Sequence, residues 1–117
     1  MADPPEPVLD VEFLNRQTFG DRAFRRELLD LFVGNAASLS GALEAEGDDT
    51  GSGAVERYRI AAHSLKGAAR GVGARRLGLA AEAAERAAAE GGEIRRRATR
   101  LVLARIAEVR SAIGEIG

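Results

Sequence analysis

With 117 residues, a mass of 12.3 kDa and 45% hydrophobic residues, the chain has enough apolar material for one compact core and too little for two. The absence of cysteine excludes a disulfide framework and any thiolate metal site. The acidic start MADPPEPVLD has neither the basic nor the apolar region of a secretory leader, and no apolar run approaches the ~18 residues of a membrane span, so a soluble, cytoplasmic protein with no membrane partner is expected.

The net charge of −1 is unevenly spread: residues 1–58 hold 12 acidic and 5 basic side chains, residues 59–117 hold 6 and 12. A basic half can suggest nucleic acid, but such domains usually have a pI above ~9. The pI here is about 5.9, which favours an acidic protein partner and excludes nucleic acid as the expected one.

All three prolines, Pro4, Pro5 and Pro7, fall within the first seven residues, so residues 1–8 read as a flexible tail and residues 9–117 as one helical domain. Asp10 is placed to cap a short helix through Val11, Phe13 and Leu14, and Gly20-Asp21 reads as a stop followed by a new cap. A second helix places Phe24, Leu28, Leu31, Phe32, Leu39 and Leu43 on one expected core face. The stretch 47–53 (GDDTGSG) has the composition of a connecting loop. A third helix is expected from Ala54, with Tyr58, Ala61, Ala62, Leu65, Ala68, Ala69 and Val72 inward and with Gly71 and Gly73 closing it. A fourth, over 74–90, carries Leu77, Ala80, Ala81, Ala84 and Ala87, and Gly91-Gly92 should end it. From Glu93 a fifth repeats Ile94, Ala98, Leu101, Val102, Ile106, Val109, Ile113 and Ile116 at helical spacing. The fold expected is all-α, an antiparallel four-helix bundle with a short extra N-terminal helix.

The chemistry concentrates in AHSLKGAARGVGA, residues 62–74. At ~100° per residue, Arg59, His63, Lys66, Gly67 and Arg70 share one face, opposite the apolar stripe of the third helix. Burying that stripe projects His63, the one histidine of the chain, outward. A glycine in a helix interior costs about 1 kcal/mol relative to alanine, and neither a core nor a cap explains Gly67. Removing a side chain one turn after the histidine gives a bulky partner access to the imidazole, while Lys66 brings a flexible cation to any anion on the ring. Neutral imidazole is a nucleophile near physiological pH, so the arrangement suits a phosphorylated histidine, with Lys66 and Arg70 steadying the added charge. Ser64 beside His63 forms no nucleophile–base pair, because neighbouring helical residues diverge. His63 has no carboxylate at helical spacing on its own face, and Glu82 with Glu85 offers no metal-ligand set, so neither a metal nor a cofactor is expected.

The segment resembles the signature of histidine-containing phosphotransfer domains, His-x-Leu-Lys-Gly followed six residues later by Gly-Ala. The resemblance implies a helical-bundle phosphocarrier, not an autonomous enzyme. Its phosphoacceptor, matching His63, takes a phosphoryl group from the aspartate of one receiver domain and passes it to another. It also implies that Lys66 assists the phosphate, that Gly67 gives clearance and that Gly73 marks the turn out of the helix. Arg70 departs from the pattern, where small or uncharged residues are familiar. The implied partners are response-regulator receivers and a histidine kinase, hybrid or not. Arg59 and Arg70, with Arg75 and Arg76 as further candidates, steer the docking, and Mg²⁺ is expected only in the receiver. A free-standing monomer is the expectation, beside a module cut from a larger kinase. The rival from another class is a bundle that binds or inhibits a kinase or receiver without carrying phosphate, for which a nucleophile has no use.

Overall fold

A computed structural model describes residues 6–47 and 51–116 of the chain. Residues 1–5 of the expected tail and residues 48–50 of the expected loop lie outside the described residues. Five helices follow one another: α1 (Val11–Gln17), α2 (Arg22–Glu46), α3 (Ser52–Val72), α4 (Arg75–Ala87) and α5 (Gly92–Ile116). Among the described residues there is no strand, and no helix is long and apolar enough to cross a membrane.

The two N-terminal caps form as read: Asp10 Oδ1 accepts from the Phe13 N–H at 3.0 Å and Asp21 Oδ1 from the Phe24 N–H at 3.1 Å. The long helices pack in a cycle, α2 on α3, α3 on α4, α4 on α5 and α5 back on α2, with α1 laid against α3. Leu14, Phe32, Leu43, Tyr58, Leu65, Leu77, Val102 and Val109 fill the interior.

Two helix faces differ from their sequence expectation. On α2 the buried positions are Leu29, Phe32, Ala36, Ser40 and Leu43, whereas Phe24 is exposed and Leu31 is 73% exposed. The stripe is centred on small residues, Ala36 and Ser40, which let neighbouring helices approach closely, so the largest apolar side chains do not define it. On α5 the buried set is Arg95, Thr99, Val102 and Val109, while Ile94 and Leu101 are exposed. The Arg95 guanidinium reaches the Glu46 carbonyl at the end of α2 at 3.4 Å and lies 5.7 Å from the Tyr58 ring centroid, so a side chain of surface type is consumed inside the bundle. The Tyr58 hydroxyl bonds Thr99 Oγ1 at 2.9 Å and the Arg95 carbonyl at 3.2 Å, joining α3 to α5. On α3 itself Ala68 is half-buried at the edge of the core.

Helix ends also shift. The fourth helix stops at Ala87, three residues before the expected end, and Gly92 opens α5 and does not close α4. An alanine run carries no local stop signal, and the terminus is set by packing, with Ala88 buried in the core. Gly71 lies inside α3, and the closure falls to Gly73 alone. There φ is +81°, the Gly73 N–H bonds the Arg70 carbonyl and the Ala74 N–H bonds the Ala69 carbonyl at 2.9 Å, a Schellman ending. The Gly73 carbonyl then accepts from the Asp10 N–H at 2.9 Å, tying the start of α1 to the end of α3.

The two glycines that flank the site region respond oppositely to a methyl group. At Gly73 an added Cβ would lie 3.0 Å from the Asp10 carbonyl oxygen and 3.1 Å from the Phe13 ring, in a left-handed conformation that costs an L-residue about 1–2 kcal/mol. At Gly67 a Cβ meets nothing within 4 Å and the backbone is ordinary helix. We expect Gly73→Ala to lower the unfolding free energy by at least about 1–2 kcal/mol and Gly67→Ala to raise it by about 0.5–1 kcal/mol, both measured by chemical denaturation. Shifts of the same sign at both positions would contradict this assignment.

Candidate functional site

The stripe Ala54, Tyr58, Ala61, Ala62, Leu65, Ala69 and Val72 is buried, and this sets the rotation of α3. His63, Gly67 and Arg70 emerge on the exposed side, with Arg59 beside them and Lys66 at the margin of the neighbouring α4. The His63 side chain is 62% exposed. Gly67 is exposed one turn further on, over open space.

The packing of α4 brings in a residue that the sequence pattern left out. Leu77, Gly78, Ala81 and Ala84 are buried, and these mostly small residues bring α4 close to α3. Glu82 and Glu85 stand at the edge of that contact. Glu85 Oε2 lies 2.7 Å from His63 Nδ1, and Glu85 Oε1 lies 2.7 Å from Lys66 Nζ. One carboxylate therefore bridges the histidine and the lysine. Along α3 the one carboxylate on the His63 face, Glu56 two turns earlier, is paired with Arg59, and the carboxylate that reaches the histidine arrives from the next helix, 22 residues later in sequence. Periodicity along one helix cannot report such a pair. The signal that could have found it is the position of Glu82 and Glu85 beside the alanine stripe of α4.

The Lys66 ammonium bonded to Glu85 holds that carboxyl below the usual carboxylate range, and His63 adds to the effect against the opposing pull of partial burial. Glu85 is therefore ionised at neutral pH and can only accept hydrogen bonds. The proton in the short contact with His63 must then lie on Nδ1. In neutral imidazole this leaves the lone pair on Nε2, so the carboxylate selects the tautomer and the nucleophilic nitrogen. Lys66 is only 17% exposed and its ammonium is held on the same carboxylate as the ring.

The other basic residues read from the sequence are placed less uniformly. Arg59 is ion-paired to Glu56 one turn earlier on α3. Arg70 reaches Glu82 on α4 at 3.4 Å. Arg75 pairs with Asp10 at 3.2 Å, and Arg76 with Glu108 at 3.4 Å, which places both in contacts between structural elements away from the histidine. Ser64 is exposed. Among the described residues no group of three His, Asp or Glu side chains could hold a metal ion, and the single carboxylate at His63 already carries the Lys66 ammonium.

An exposed, tautomer-selected imidazole with a cation beside it and open helix surface after it is equipped to accept an electrophilic group and to meet a large partner. Comparison with known proteins bears on that reading. No curated protein matches the chain. The Hpt domain family model matches residues 27–115, which takes in α3, α4 and most of α2 and α5. Hpt domains are helical bundles that serve phosphotransfer in two-component signalling as carriers of the phosphoryl group. With most of its length matched and the histidine segment at the centre of the match, this chain belongs to the Hpt domain family.

Proposed function

We propose that the protein is a phosphorelay intermediate that takes a phosphoryl group from the aspartyl phosphate of one receiver domain onto His63 and passes it to the aspartate of another. The observation that carries this reading is the contact of Glu85 with His63 Nδ1 at 2.7 Å, on a ring that is otherwise open to solvent. In the forward step the Nε2 lone pair of His63 attacks phosphorus, the N–P bond forms, the P–O bond to the aspartate breaks, and the carboxylate leaves on the receiver. The ring gains positive charge as it attacks, and the Glu85 carboxylate faces that charge across the Nδ1–H. The reverse step passes the group on.

In this reading Lys66 turns toward the phosphoryl oxygens, and the receiver supplies the acidic pocket and Mg²⁺ that stabilise the transfer. Gly67 leaves room for the receiver's backbone next to the ring. The docking footprint extends into the apolar trough between α2 and α3 lined by Leu28, Leu31, Phe32, Ala68, Gly71 and Val72, where the exposed Leu31 has a use that the core does not give it. Four long helices, each touching two others and joined by short connections at 73–74 and 88–91, support the antiparallel four-helix arrangement within one domain over 9–117. A module that only binds would leave the Glu85-oriented imidazole without a role.

Incubation with a phosphorylated receiver should place an acid-labile, base-stable phosphate on the wild-type protein and none on His63→Gln; a wild type that gains no phosphate refutes the reading. Lys66→Ala should fold normally and accept phosphate about tenfold to a hundredfold more slowly, in line with the loss of one charged hydrogen bond to the phosphate. Glu85→Ala should slow transfer and also abolish the preference for the Nδ1–H tautomer, read from the imidazole ¹⁵N shifts. A slowed variant with an unchanged tautomer would confine Glu85 to holding Lys66.

A further inference from the structure

The cations on the His63 face are not equivalent once their partners are counted. Arg59 is matched by Glu56, and Lys66 by Glu85, one carboxylate to each. Arg70 on α3 and Arg86 on α4 share a single carboxylate, Glu82, with Arg70 3.4 Å from Oε2 and Arg86 3.0 Å from Oε1. The set keeps a net positive charge. The Arg70 and Arg86 side chains are well exposed, at 58% and 76%, whereas the Glu82 side chain is 29% exposed, so the anion sits inward and the surplus charge lies on the exposed side chains.

The position of this set relates it to the transfer site. Arg70 lies two helical turns after His63, roughly 10 Å along the axis, beyond the surface left open by Gly67. Glu82 precedes Glu85 by one turn on α4, so the two carboxylates line one seam between α3 and α4. Toward His63, Glu85 holds Lys66 and the ring on its two oxygens; away from it, Glu82 holds two arginines. Surface ion pairs contribute little to a fold, so a shared carboxylate with exposed guanidiniums has small structural value. Its effect is to fix where a forked, multiply donating cation pair is presented.

We infer that the Arg70–Glu82–Arg86 set is the electrostatic docking element of this domain and determines which receivers it accepts, by reading a carboxylate-bearing rim on the partner's surface. This rests on the phosphotransfer reading of His63 and deepens it: Lys66 acts on the phosphoryl group, and the arginine pair acts on the partner that carries it. Arg59, whose charge Glu56 cancels, contributes little to steering. The residue that departs from the family pattern, Arg70, then has its counterpart in Arg86, which no sequence spacing along α3 connects to it.

The test is single-turnover transfer from a phosphorylated receiver that phosphorylates the wild-type protein, at several receiver and salt concentrations. The variants are Arg70→Gln, Arg86→Gln, the double variant, Arg59→Gln, and Arg70→Lys with Arg86→Lys. In the double Gln variant the receiver concentration giving half the limiting rate should rise about 3- to 10-fold, as for loss of rim charges, while the limiting rate stays within about twofold. The dependence of the second-order rate on salt should flatten in that variant and be restored by the Lys pair, which keeps the charge. Arg59→Gln should match wild type. A fall in the limiting rate at unchanged half-saturation, an Arg59→Gln effect as large as that of the double variant, or an unchanged salt dependence would each overturn the assignment. Failure of the wild type to be phosphorylated would instead strike the function of His63 itself.

Discussion

The rotational setting of α3 about its own axis is the constraint on which the site depends. At ~100° per residue, a slip of one position that moved His63 to where the buried Ala62 sits would turn the imidazole toward the core and leave Ser64 in its place. Two fastenings oppose that slip. Five residues before the histidine, the Tyr58 hydroxyl is bonded inside the bundle to Thr99 and to the Arg95 carbonyl on α5. Ten residues after it, the left-handed Gly73 ends the helix and passes its carbonyl to the Asp10 N–H. Between them the buried alanines and Leu65 leave no room for a different face to turn inward.

Helix α4 supplies the electrostatics of this face. Its buried side is mostly glycine and alanine, so the backbone comes near enough for glutamates of moderate length to span the seam. Glu85 uses its two oxygens separately, one on an imidazole and one on an ammonium. The ammonium keeps the carboxylate ionised, and the ionised carboxylate keeps the Nδ1 proton in place. The lysine thus influences the ring through the glutamate even where it does not touch it. Glu82, one turn away, shares its two oxygens between two arginines, so two chemically identical residues produce a neutral pair at the histidine and a positive one beyond it.

Much of this is legible in the sequence. The caps at Asp10 and Asp21, the outward histidine, the open glycine after it and the helix end at Gly73 are local features, each written within a few residues. What stayed hidden depends on contacts between helices. Glu85 finds His63 from another helix, which no repeat along α3 encodes. The inward turn of Arg95 violates the surface preference of arginine and is compensated by a helix-end carbonyl and an aromatic ring that sequence alone does not bring together. On α2 the sequence weighs Leu31 and Phe24 as core by size, whereas the packing is decided by Ala36 and Ser40, whose smallness permits close approach. The early end of α4 has the same origin, since a run of alanines is compatible with continuing or stopping.

The division of labour around α3 also explains how an exposed imidazole is kept without weakening the fold. The residues that bury area and the exposed residues around His63 lie on opposite sides of one helix, so His63 and Arg70 can vary with little consequence for the core. Gly67 is the exception that measures this. It occupies a helix interior where alanine would fit without contact and with better propensity, by about 1 kcal/mol, and nothing in the fold returns that loss. Gly73 is different, because its conformation is one that alanine adopts only under strain. Of Gly67 and Gly73, the second is required by the path of the backbone. The first, Gly67, is retained against the preference of the helix, and the surface that it keeps open leads to the histidine.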